Sequence, residues 1–167
     1  MARRINGWAG VLCGLLIGAF SFVPQASTAS EVTAPHEQPG HGAAHGGALV
    51  GLEYGGAEVA HLELKLDPAL GDLKIYLTDA EAQDPVRIPQ ETIEVEVLLT
   101  GASEPLVLEL AAVEDAATGE TVGDASVFSV RSELLKGAEE FSVVIASIFA
   151  QGYEVNDIRF RYPEGNH

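Results

Sequence analysis

Histidines are the residues of this sequence whose type and spacing point most directly to chemistry. His36, His41 and His45 lie in a segment rich in glycine and proline, and only three small residues separate His41 from His45. A neutral imidazole is a ligand for copper, zinc, nickel or cobalt, and a glycine-rich backbone lets two rings turn toward one ion. We therefore predict an exchangeable transition-metal site in this segment.

A fourth candidate ligand, His61, is expected on a strand. In the alternating run that contains it, His61 and Glu63 fall on the same outward face, opposite the leucines. If the preceding segment folds back over this strand, a mixed set of nitrogen and oxygen ligands becomes available. The alternative is that the other histidines are solvated linker residues and that His61 is an exposed strand residue.

Enzymatic motifs find little support in the sequence. The stretch from His36 to His41 has one residue too many for a zinc-protease helix, and Pro39 would interrupt that helix. Glu94 and Glu96 form a carboxylate pair, but they occupy the solvent face of an alternating strand. No serine has the glycine neighbours of a nucleophile elbow. We therefore expect a protein that is not an enzyme.

The N-terminus is typical of a secretory signal peptide. Arg3 and Arg4 precede an apolar stretch over residues 8–23, and a run of small residues with a cleavage position after Ala29 follows. The apolar stretch is shorter than the roughly 20 residues that a membrane-spanning helix requires. We predict a periplasmic or secreted protein without stable membrane insertion after cleavage.

Charge and cysteine content restrict the partners and the chemistry of the mature chain. The full sequence has 9 basic and 25 acidic residues and a formal charge of −16, which becomes about −18 once Arg3 and Arg4 are removed. Such a charge repels nucleic acid. The only cysteine, Cys13, lies in the signal segment, so the mature chain has neither a disulfide nor a cysteine-ligated metal.

From Ala48 onward the apolar residues recur at every second position, which predicts β-strands. Two consecutive runs supply six aliphatic residues: Leu62, Leu64, Leu66, Leu73, Ile75 and Leu77. Pairing Asp67 with Asp72 across a short turn places all six side chains on one face of a β-hairpin.

Further strands are predicted at 93–99, 106–110, 127–130, 141–149 and 155–162. The first two form a second hairpin, and the apolar run 141–149 is expected to be buried on both faces. One short helix is expected near 132–136, with Ser132 as its N-cap and Gly137 as its stop. Together these elements predict an all-β fold, an antiparallel β-sandwich of immunoglobulin-like size with 7 to 9 strands. A small closed barrel is the alternative.

The sequence thus divides into four predicted parts. These are a signal peptide (1–29), a flexible arm rich in histidine, glycine and proline (30–47), a β-sandwich domain (48–163) and a C-terminal tail (164–167). We call residues 30–47 the N-terminal arm.

The segment 45–50 begins with His-Gly-Gly and is followed by the strand that contains His61. In these features the sequence resembles a group of uncharacterised exported bacterial β-domain proteins. The turn at 132–135 and the strand pair at 141–162 are similar to the C-terminal half of that group, and the resemblance covers about 115 residues. It implies a periplasmic context, with an envelope protein of a heavy-metal efflux system as partner, and no catalytic residues. Members of the group often carry a histidine-rich C-terminus, whereas this sequence has only His167 there.

Two functions from different classes follow. The first is an exported, non-catalytic metal-binding accessory protein that uses its N-terminal histidines. The second is a cell-envelope protein–protein interaction module without metal, in which an exposed strand edge or the arm contacts a partner.

Overall fold

The computed structural model describes residues 42–166, which form eight antiparallel β-strands and one short 3₁₀ helix. The strands are β1 (Ala48–Tyr54), β2 (Ala57–Asp67), β3 (Asp72–Thr78), β4 (Thr92–Leu99), β5 (Leu106–Ala112), β6 (Val127–Arg131), β7 (Phe141–Ala150) and β8 (Tyr153–Tyr162). The 3₁₀ helix covers Glu133–Leu135, and the side chain of its N-cap Ser132 accepts a hydrogen bond from the Leu134 N–H. The all-β prediction, the number of strands and the short capped helix are confirmed.

All eight strands belong to one sheet in the order β1-β2-β3-β6-β5-β4-β7-β8. The two end strands lie close together, and the C-terminal residues bridge them. The Asn166 N–H donates to the Leu49 carbonyl (3.2 Å), and the Gly51 N–H donates to the Asn166 side-chain oxygen (2.9 Å). A side chain at Gly165 would collide with the Leu49 carbonyl, so only glycine allows this approach. The sheet is therefore nearly closed.

The register of the first predicted hairpin is confirmed. Asp67 pairs with Asp72, and the six aliphatic residues face one another as Leu66–Leu73, Leu64–Ile75 and Leu62–Leu77. All six are almost completely buried and belong to one continuous aliphatic core. The alternation of residues on β2 and β3 thus fixes which face of the sheet is the interior.

The prediction that 141–149 is buried on both faces is wrong. On β7 every second residue from Phe141 to Ile145 points inward. The next inward residue is Ile148, three positions after Ile145, and Phe149 is exposed. The pairing with β8 is interrupted opposite Asp157, which has a φ of 56°, so both strands change the face that they turn inward. The long apolar run thus combines inward residues on both sides of this change with Val144 and Phe149 at outward positions.

The alternative interpretation of His61 as an exposed strand residue is also wrong. His61 is 0% exposed and Glu63 is 4% exposed. The end of the N-terminal arm covers Glu63, while the beginning of the β3–β4 loop, at Asp79, covers His61. Residues 42–47 of the arm contain a tight turn, in which the Gly46 N–H donates to the Ala43 carbonyl (3.2 Å).

The division into domains remains a prediction, because residues 1–41 and 167 lie outside the described residues. In the described part of the chain, no helix is long and apolar enough to cross a membrane.

Candidate functional site

The site is built around the carboxylate of Glu63 on β2. Three donors surround this carboxylate: the His45 N–H (2.9 Å), the Gly47 N–H (2.7 Å) and the Nδ1–H of the His45 ring (2.9 Å). Because a buried carboxylate needs such donors to offset its lost hydration, the interaction explains how Glu63 can be nearly inaccessible. Glu63 therefore anchors the end of the N-terminal arm to the sheet.

Glycine at position 47 makes this anchoring possible. A Cβ atom at Gly47 would collide with the carbonyl oxygen of Leu64, and its neighbour Gly46 has a φ of 69°, which favours glycine. The backbone can thus lie directly against β2 and aim two N–H groups at Glu63. The His-Gly-Gly sequence is the local reason why His45 reaches this position.

The imidazole of His45 is oriented by a second contact. Its ring stacks on the ring of Tyr76 from β3, with centroids 3.6 Å apart and an interplanar angle of 7°. Tyr76 pairs with Glu63 across the two strands, so one cross-strand pair provides both the hydrogen bond and the stacking surface. The side chain of His45 remains 42% exposed, and its hydrogen bond to Glu63 uses Nδ1 and not Nε2.

The electrostatics of the site favour an ionised Glu63. Burial raises the pKa of Glu63, but the hydrogen bonds from the Gly47 N–H and from the ring and N–H of His45 together outweigh it. The pKa of Glu63 is therefore lowered below its usual value. The carboxylate is charged at neutral pH and holds the adjacent ring nitrogen as a donor.

His61 occupies a different environment. Its Nδ1–H donates to the Asp79 carbonyl (3.0 Å), and its Nε2 lies 3.3 Å from a carboxylate oxygen of Glu58. Both ring nitrogens are thus engaged inside the protein: Nδ1 joins β2 to the β3–β4 loop, and Nε2 contacts Glu58 of the same strand. A metal could bind His61 only after one of these contacts was broken.

The structure brings together His45 and Glu63 from the predicted ligand set and gives His61 its own partners. His36 and His41 lie outside the described residues. Within 42–166, no group of three or more histidine, cysteine, aspartate or glutamate side chains is arranged to hold a metal ion. Tyr76 was missed as a site residue, although its place opposite Glu63 follows from the predicted register.

Comparisons with protein-family models, with curated proteins and with solved structures found no match to this chain. The interpretation of the site therefore depends on its own geometry.

Proposed function

We propose that this chain is an exported, non-catalytic accessory protein that binds a transition-metal ion through the histidines of its N-terminal arm. The observation that carries the proposal is the 2.9 Å hydrogen bond between His45 Nδ1 and Glu63. Histidines that bind metals through one ring nitrogen commonly donate the other ring N–H to a carboxylate. Such a partner fixes the tautomer, orients the ring and makes the ligating nitrogen more basic.

The remaining ligands in this proposal come from the arm. His41 is close to His45 in sequence, and His36 is the next histidine toward the N-terminus. A short connection in sequence gives two such rings a high effective concentration around one ion. His61 is the weakest of the four candidate ligands, because both of its ring nitrogens have partners.

The ligand chemistry limits the choice of metal. Imidazole nitrogen, with carboxylate oxygen nearby, suits copper, zinc, nickel or cobalt, and affinity generally peaks at Cu(II) along that series. The strong negative charge of the chain attracts cations and excludes nucleic acid as a partner. In this proposal the protein acts in the periplasm or outside the cell, without stable membrane insertion, and passes its metal to an envelope protein of a metal-efflux system.

For the architecture we favour a small, nearly closed barrel over a two-sheet sandwich of immunoglobulin-like size. All eight strands belong to one sheet, and residues 165–166 bridge its end strands. Either arrangement leaves the Glu63 face of β2 on the outside of the sheet.

Calorimetric titration of the mature chain with Cu(II) and Zn(II) tests the metal proposal. Replacing His41 and His45 together with alanine should weaken binding at least tenfold, whereas His167→Ala should have a smaller effect. Glu63→Gln should weaken binding about tenfold, the lower end of the effect seen when a carboxylate partner of a ligand is lost. The exposed acid variant Glu94→Gln is the matched control. A double variant that titrates like the parent, or a parent that binds no micromolar metal at neutral pH, would refute the proposal.

A second candidate function, a protein–protein interaction module, is favoured by one observation. The exposed rings of Tyr54 and Tyr153 pack at 4.8 Å between β1 and β8, and Phe149 on β7 is exposed as well. Exposed aromatic groups often mark contact surfaces. If the parent chain binds no metal but captures a protein partner, and the Tyr153→Ser variant does not capture that partner, this second function is favoured.

A further inference from the structure

A cavity of about 430 Å³ adjoins the stacked rings of His45 and Tyr76 on the outside of the sheet. Its lining combines these two rings with the apolar side chains of Ala82, Pro85 and Val127. Sites for small organic molecules have volumes in this range and are lined mainly by apolar and aromatic groups. The cavity is therefore suited to a flat apolar body.

The polar part of the cavity lining includes a buried carboxylate, that of Glu120. Glu120 accepts hydrogen bonds at Oε1 from the N–H and the hydroxyl group of Ser126, and at Oε2 from the Thr118 hydroxyl (3.2 Å). A carboxylate oxygen has two lone pairs, so Oε2 has the capacity to accept a further donor. A ligand that brings an N–H group or an ammonium to this oxygen would complete its coordination.

The charges around the cavity select a cation over an anion. The guanidinium of Arg87 lies 3.7 Å from Glu120, contacts Asp124 (3.2 Å) and donates to the Thr118 carbonyl (2.6 Å). Two of its donors are thus directed at protein oxygens, and its positive charge is offset by Glu120 and Asp124. Asp115 adds a further exposed carboxylate to the lining, so the acids around Arg87 outnumber its single positive charge.

We propose that this cavity binds a small organic cation whose flat apolar body packs against the His45–Tyr76 stack and whose ammonium group lies at Glu120. The proposal does not depend on metal binding by the arm. The Coulomb attraction between an ammonium and a largely desolvated carboxylate is stronger than at the surface, and the apolar body contributes through its buried area. The carboxylate thus provides the selectivity for charge, and the aromatic and apolar lining provides affinity for the flat body.

Three indole compounds that differ in charge provide the probe: tryptamine (cationic), 3-methylindole (neutral) and indole-3-acetate (anionic). Each is titrated into metal-free, isotope-labelled mature protein, and binding is followed through backbone amide shifts. Tryptamine should shift the amides of Tyr76, Ser126 and Val127 and should bind at least tenfold more tightly than 3-methylindole. Indole-3-acetate should bind more weakly than either.

Variants then assign the binding to the proposed groups. Tyr76→Ala should weaken tryptamine binding at least tenfold, Tyr76→Phe should retain it, and the exposed tyrosine variant Tyr153→Ala is the control. Glu120→Gln should remove the preference for tryptamine over 3-methylindole. If that variant does not fold, Asp115→Asn should reduce the preference about threefold, while the exposed acid variant Glu109→Gln should leave it unchanged.

Equal affinity for the three compounds would overturn the proposal, as would the absence of amide shifts at about 1 mM tryptamine. Retention of parental selectivity in a folded Glu120→Gln protein, or in Asp115→Asn where Glu120→Gln fails to fold, would also overturn it. Because the protein is free of metal throughout, a failure here is distinct from a failure of the metal proposal.

Discussion

Replacing Glu63 with glutamine is the sharpest perturbation of the site, because it keeps the size of the side chain and removes its charge. The oxygen of glutamine can still accept from the N–H groups of His45 and Gly47. Its NH₂ group, however, cannot accept from the Nδ1–H of the His45 ring, so the charge-assisted hydrogen bond is lost and the ring must take its other tautomer to accept from the amide. A hydrogen bond to a charged group contributes about 1.5–3 kcal/mol, so we expect Glu63→Gln to lower the free energy of unfolding by about 2 kcal/mol at pH 7.

The pH dependence of this difference follows from the direction of the pKa shift. The pKa of Glu63 is lower in the folded protein than in the unfolded chain, so its stabilising contribution is complete well above the unfolded value of about 4.3. The contribution decreases as the pH falls through the folded pKa, because the protonated acid no longer gains from the surrounding donors. The parent and Glu63→Gln should therefore differ at pH 7 and converge in acid.

Urea denaturation at a series of pH values measures this difference directly. At pH 7 the unfolding midpoint of Glu63→Gln should fall by about 1 M relative to the parent, given the usual slope for a domain of this size. Glu94→Gln, on an exposed position of β4, is the control and should unfold like the parent. A Glu63→Gln protein as stable as the parent at pH 7, or a difference that grows in acid, would refute the assignment of Glu63 as the anchor of the arm.

Three further predictions concern the fold and the processing of the chain. Gly47→Ala should destabilise the domain by more than about 1 kcal/mol, because its Cβ would collide with the Leu64 carbonyl. Gly42→Ala is the control and should be neutral, because nothing lies within 4 Å of a Cβ at that position. Thermal unfolding of the two variants measures the difference. Leu64→Asp should abolish folding, because it places an unpaired carboxylate at a fully buried core position. If circular dichroism shows a native-like Leu64→Asp protein that unfolds cooperatively, the register is contradicted. The exported protein should begin at or near Ser30, and an intact mass that includes Trp8 would contradict cleavage of the predicted signal peptide.

The sequence predicted the pairing of β2 with β3 correctly because period-two alternation and a short turn together allow only one register that buries all the leucines. Alternation also placed His61 and Glu63 on one face. It could not show that this face is covered, since the covering groups come from the arm and from the β3–β4 loop. Burial by a non-adjacent segment leaves no periodic pattern in the strand itself.

The error on β7 has a different cause. A run of apolar residues is expected both from a strand buried on both faces and from a strand that changes its inward face part of the way along. Asp157 on the partner strand causes that change through its positive φ, and aspartate is one of the few residues that tolerate this conformation. The relevant signal thus lay on β8 and not in the apolar run of β7.

The hydrogen bonds of Asn166 have a consequence for the order in which the protein folds. By its N–H and its side-chain oxygen, Asn166 contacts Leu49 and Gly51 as a residue of a neighbouring parallel strand would. The edge of β1 thus receives this partner from a residue 115 positions further along the chain than Gly51. Because closing so long a loop costs more conformational entropy than closing a local hairpin, we expect these hydrogen bonds to form after the hairpins β2–β3 and β7–β8 have paired.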